Sequence, residues 1–96
     1  MKLVRDFIPA IIEGQGKSCD WKYIQGKEQF SQFLKDKMEE ETSEFLEDPC
    51  EEEAADMLEV VMTFMWLHAL DPKQVEEVRR KKALSRGSFQ AGIVLL

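Results

Sequence analysis

"EEETSEFLEDPCEEEAAD", Glu39 to Asp56, decides how this chain folds. Ten of its eighteen residues are acidic, and they flank a single Asp-Pro pair. Asp48 suits a helix cap, Pro49 suits a first helical position, and Glu51 sits where a capping box wants a carboxylate. A helix therefore ends before this pair and another begins at it.

Upstream, Phe30, Phe33, Leu34, Met38 and Phe45 recur at three- and four-residue spacing, which predicts a helix over Lys27–Glu47. Downstream, a second helix is predicted over Pro49–Leu70. It meets "DPKQ", where Asp71 caps, Pro72 lies inside and Gln74 follows three residues on. That opens a third helix over Pro72–Ser85, stopping near Gly87. A short helix is predicted at Phe7–Glu13, with Asp6 as cap and Pro9 in its first turn. Gly14–Gly26 reads as loop, with "DWKYI" extended. The tail "SFQAGIVLL" is expected to pack against the body or against a second subunit.

Short connections make consecutive helices antiparallel neighbours. The expected fold is all-α: an antiparallel helical hairpin plus an additional helix, assembling into an oligomeric helix bundle. With 96 residues the chain suits a single domain, 1–96, with a limited core, which favours oligomerisation.

An α-helix turns about 100° per residue. With Phe30 at zero, Leu34, Met38, Phe45 and Phe33 define a buried stripe from about 300° to about 80°. Glu41 falls near the middle of it, at about 20°, and Glu44 inside it, at about 320°. Glu40 sits at the margin; Glu39 and Glu47 point away. On the second helix, Met57, Leu58, Val60, Val61, Phe64, Met65 and Leu67 form an apolar arc. Glu53 lies within that arc and Asp56 at its edge, while Glu52 and Glu59 face water. This arc is wider than one antiparallel neighbour covers, which points to a bundle completed by another chain.

Height along the hairpin is an independent test. Measured from the turn, Glu44 and Glu53 both lie roughly 7 Å away, and Glu41 and Asp56 roughly 11 Å, at 1.5 Å per residue. Four carboxylates from two i, i+3 pairs thus converge on one patch. Left bare on an apolar seam they would suffer desolvation and mutual repulsion. A divalent cation resolves this, and all-oxygen ligation selects a hard ion, Mg²⁺ or Mn²⁺, over zinc. The bland alternative is a solvated acidic run, with Glu51–Glu53 serving the helix N-terminus through its dipole.

Such an ion keeps positions for phosphate oxygens, so basic groups should stand nearby. Lys82 and Arg86, four apart in "RRKKALSR", share one helix face and are the first candidates. Lys17, Arg5 and Lys37 are further ones. The alternative for the basic run is a solvated helix end that complements the dipole. His68 falls on the apolar face as a packed or interface side chain, and Trp66 on the polar face. Trp21 and Tyr23 either stack on a base or pack.

A net charge of −6 argues against nucleic-acid binding, because phosphate backbones need a basic surface. It leaves a nucleotide substrate open, since a cation bridges acid to phosphate. Cys19 and Cys50 show no metal-ligand spacing and read as reduced thiols. The longest apolar stretch, Val60 to Leu70, is about half a membrane span and carries Thr63 and His68. No charged-then-apolar signal opens the chain. A cytoplasmic protein with no membrane partner is expected.

These residues resemble a known family. "EETSE" (Glu40–Glu44) followed by "EAAD" (Glu53–Asp56) is similar to the EExxE…ExxD signature of the MazG-like all-α nucleoside triphosphate pyrophosphohydrolases. The opening "KLVRDFIPAIIEGQGK" (Lys2–Lys17) looks like the start of the small MazG-like and phosphoribosyl-ATP pyrophosphohydrolase-like members. The ending "KALSRGSFQAGIVLL" (Lys82–Leu96) is similar to their tail. Phe7 departs from a frequent lysine, and Ser88 from a common glycine.

The resemblance implies Mg²⁺-dependent hydrolysis of a nucleoside triphosphate between its α and β phosphates, giving monophosphate and pyrophosphate. It implies metal ligation by Glu41, Glu44, Glu53 and Asp56, with Glu40 behind the ligands or orienting water. It implies phosphate contacts from Lys82 and Arg86, and homodimers or homotetramers with sites at or near subunit contacts. House-cleaning of non-standard nucleotides is a role the family implies. Whether one ion binds or two stays open. Two other functions compete: hydrolysis of phosphoribosyl-ATP, and a non-catalytic nucleotide-binding oligomerisation module.

Overall fold

The computed structural model describes all 96 residues and contains four helices and no strand: α1 (Ile8–Gly14), α2 (Lys27–Glu47), α3 (Glu51–Leu67) and α4 (Pro72–Arg86). α2 has the boundaries its apolar period predicts. It joins α3 through Asp48, Pro49 and Cys50, and these two helices are the pair that packs along its length. The all-α hairpin is therefore the body of the chain. No helix is long and apolar enough to cross a membrane.

Three boundaries differ from the sequence expectation. Asp6 does not cap α1; Phe7 holds the cap position without a side-chain bond, and the Ile8 N–H is satisfied by the Arg5 carbonyl at 3.1 Å. Asp48 does not cap α3, and Pro49 is not helical. Cys50 occupies the N-cap in an extended conformation, with no side-chain capping bond. Proline disfavours helical backbone in the residue before it, and Asp48 ends α2 with φ −135°. The chain then needs one extended residue before α3 can start, and Glu51, Glu52 and Glu53 fill its first turn. Their charge suits the positive end of the helix dipole.

α3 stops at Leu67 rather than Leu70. The Leu70 N–H reaches back to the Met65 carbonyl (2.9 Å) and the Ala69 N–H to Trp66 (3.1 Å), a Schellman closure with Ala69 left-handed at φ 57°. Glycine is the residue that closure favours, because a Cβ costs about 1 kcal/mol there. Ala69→Gly should therefore raise stability by up to about 1 kcal/mol, read from the midpoint of urea unfolding. An unchanged or lower midpoint would show that the flexibility gained by the unfolded glycine outweighs the relief.

α4 begins as predicted: Asp71 accepts from the Lys73 N–H at 2.9 Å, and Pro72 lies in the first turn. It ends at Gly87, whose φ of 81° suits glycine. The expectation that α4 would fold back as an antiparallel neighbour is not met within the chain, where it does not pack along the hairpin. Val75, Val78 and Leu84 are exposed on it. Nor does the tail pack on the body: Phe89, Ile93, Val94, Leu95 and Leu96 are all exposed. "DWKYI" forms no strand; Trp21 and Tyr23 meet edge to face at 5.2 Å.

Only Leu34, Val60 and Glu41 are buried. The radius of gyration is 17.2 Å, against about 12–13 Å for a compact domain of this length. On α3 an apolar stripe at four-residue spacing, Leu58, Met62 and Trp66, stands exposed, and Leu70 just beyond the helix is exposed too. Trp66 meets Phe30 edge-on, with 6.0 Å between ring centres. The hairpin covers part of the wide apolar arc and leaves the rest without a neighbour in the chain.

Candidate metal centre

The helical phase that places Leu34 at the seam also carries Glu41 there, two turns on. Glu41 is 6 % exposed. Across the seam, α3 presents Glu53 and Asp56 one turn apart, both half-buried. One carboxylate oxygen from each of Glu41, Glu53 and Asp56 lies within 4.8 Å of the other two. Oε2 of Glu41 and Oε2 of Glu53 are buried and have no hydrogen-bond partner. A buried acceptor without a donor is costly, and such orphans are uncommon.

Glu44 stands apart from this trio. It is exposed, about one turn before α2 ends at the turn into α3. It is still close enough to act on its neighbours through charge. Burial raises the Glu41 carboxyl above its ordinary pKa, with the Glu44 charge adding to the effect and Lys37 opposing it. Glu53 is raised by the same two causes, desolvation and then Glu44, with Asp56 and Glu41 behind.

Basic side chains meet the acids from two directions. Lys37, one turn before Glu41, lies 3.5 Å from Glu41 Oε1 and 3.3 Å from Glu40 Oε2. Its side chain is only 17 % exposed. Lys2 Nζ is 3.6 Å from Glu40 Oε1, and Arg5 Nη2 donates to Asp56 Oδ1 at 2.6 Å. The Lys37 contacts were within reach of the sequence, since residues three and four apart share a helix face. The Arg5 contact was not, because nothing local ties positions 51 residues apart. Glu40 is held below the usual carboxylate range, chiefly by its hydrogen bond to Lys37.

The other expected phosphate contacts are not gathered here. Lys82 and Arg86 are exposed on α4, and Lys17 is exposed in the loop after α1. No ion pair links any of the three to the carboxylates. His68 is half-buried against the Phe64 ring, 4.4 Å between centres, with Nε2 buried and unpaired. Both cysteines are free.

The donor set is all oxygen, anionic and short of donors, which suits a hard divalent cation. The raised Glu41 and Glu53 fix the sign of the pH response in a metal chelator. A carboxyl raised above its unfolded value favours the fold when protonated, and that contribution is lost as pH rises through the raised pKa. Chelated protein should thus gain stability as pH falls from 7 toward the ordinary glutamate range, about 4.3. With Mn²⁺ present the trend should reverse, because protons compete for the same oxygens. Thermal melts across that window, with and without the ion, check both slopes.

No family model, curated protein or solved structure matches this chain.

Proposed function

We propose that the chain is a Mg²⁺-dependent nucleoside triphosphate pyrophosphohydrolase of the MazG-like kind, active with Mg²⁺ or Mn²⁺ as a homodimer or homotetramer. The reading is carried by one observation: the orphaned, buried Oε2 of Glu41 in a cluster with Glu53 and Asp56. A structural acid run on a wet face would not leave such an oxygen.

Glu41, Glu53 and Asp56 would hold the ion, with Glu44 joining them from the rim. Bound there, the ion supplies charge neutralisation for the triphosphate oxygens. Glu40 is already anionic and fixed by Lys37 and Lys2, which makes it an acceptor that orients a water molecule. No serine or cysteine stands as a nucleophile in the cluster, so water attacks the phosphoanhydride directly. Cleavage between the α and β phosphates releases monophosphate and pyrophosphate.

Phosphate contacts from Lys82 and Arg86 require α4 to lie against a hairpin, and its own chain does not bring it there. A second copy supplying α4, and covering the Leu58–Met62–Trp66 stripe, satisfies both needs. The test is pyrophosphate release from a panel of NTPs, dNTPs and phosphoribosyl-ATP, with and without Mg²⁺. Turnover that needs Mg²⁺ supports the reading, and its preferred substrate identifies the activity. No turnover on any member favours a nucleotide-binding oligomerisation module.

A further inference from the structure

Residues 1–6 form no helix, yet two cations hold this arm across both helices of the hairpin. Lys2 meets Glu40 on α2, and Arg5 meets Asp56 on α3. Asp56 belongs to the carboxylate trio, so a guanidinium already binds one oxygen of a group assigned to the metal. A divalent ion and a guanidinium repel each other, and here they would share one carboxylate.

The two cations around the trio differ in how they are held. Lys37 is nearly covered and tied to two acids of its own helix. Arg5 hangs from a non-helical arm, with side-chain exposures of 57 % for Arg5 and 36 % for Asp56. An ion pair this exposed is readily given up. Arginine also offers five donors and no acceptor, in a fork that fits phosphate oxygens as well as carboxylate.

We propose that Arg5 is an exchangeable counter-ion: a divalent cation takes Asp56 from it, and the released guanidinium then binds the phosphates of the nucleotide. This rests on reading the trio as a metal site. It assigns the nucleotide a contact from the same chain, independent of α4.

The two halves of the proposal predict opposite signs, which a merely structural arm would not give. Mn²⁺ binding, followed by the paramagnetic signal of the free ion, is compared for wild type, Arg5→Gln and Arg5→Lys. Affinity of the Mn²⁺-loaded proteins for a non-hydrolysable nucleoside triphosphate is then measured by calorimetry. Arg5→Gln should bind Mn²⁺ about two- to fivefold more tightly, the worth of an exposed pair. It should bind the nucleotide at least about tenfold more weakly, the worth of a lost charge-assisted bond. Arg5→Lys keeps the charge and should fall between. In wild type, Mn²⁺ should speed hydrogen exchange of the arm's amides. If Arg5→Gln binds Mn²⁺ no more tightly while wild type binds it well, the exchange is wrong and the metal site stands. Loss of both affinities together assigns Arg5 to structure and also overturns the proposal. Wild type that binds no Mn²⁺ removes the metal reading and this inference with it.

Discussion

Glu41→Gln should lower turnover at least about a hundredfold, the scale of losing a directly placed electrostatic group. The same change should raise, not lower, the unfolding midpoint in chelator. Both effects come from one environment. The carboxylate is buried, its Oε2 has no donor, and Glu44 and Asp56 add like charge. Desolvation and repulsion outweigh the nearby Lys37, so the neutral form is favoured. A glutamine of equal shape mimics that neutral form and removes the strain. It also removes the anionic oxygen a hard cation needs. A group that destabilises the resting fold yet is needed for chemistry is the usual sign of a functional site. Pyrophosphate release and thermal melting on the same two proteins decide it. Unchanged turnover would remove Glu41 from the site. A large fall in midpoint would mean the carboxylate is a structural partner of Lys37.

The second large effect concerns assembly. Leu58→Asp combined with Met62→Asp should break the proposed oligomer and melt most of the helix with it. With only Leu34, Val60 and Glu41 buried, the single chain has little apolar burial to set against its ordering entropy. Each large apolar side chain covered by a partner contributes about 1.5–3 kcal/mol. Two carboxylates on that stripe replace the gain with a desolvation cost. Sedimentation should show wild type at a multiple of 11.2 kDa and the double variant at the single-chain mass. The wild-type melting temperature should climb with protein concentration, as mass action requires when folding and association are linked. A wild type that sediments as one chain and melts at a fixed temperature refutes the assembly.

How much of this was legible in the sequence differs from element to element, for physical reasons. α2 was readable to its ends because its apolar period is regular and the Asp-Pro pair stops it. The inward phase of Glu41 was readable for the same reason, and it is buried where the 3.6-residue period places it. The convergence of Glu41, Glu53 and Asp56 followed from phase and height together. The start of α3 was misread because two proline rules conflict at Asp48-Pro49. Proline fits a first helical position, but it also disfavours helix in its predecessor. Its end was misread because alanine takes the left-handed turn at Ala69, where glycine would have announced it. Glu44 has the right phase, but phase says nothing of how exposed a side chain is in the last turn of its helix. The place of α4 was not legible, because its apolar residues find no neighbour in their own chain. The Arg5 contact was hidden by distance along the sequence.

The three-residue link between α2 and α3 also sets an order of events. Glu41 and Asp56 are fifteen positions apart, whereas Arg5 and Asp56 are separated by 51. Closing a short loop costs less entropy than closing a long one, and helical hairpins rich in local contacts fold in microseconds to milliseconds. On loop length alone, the acidic pocket is expected to close ahead of the arm that lies across it. A metal ion that this pocket binds would then meet those oxygens before the arginine does.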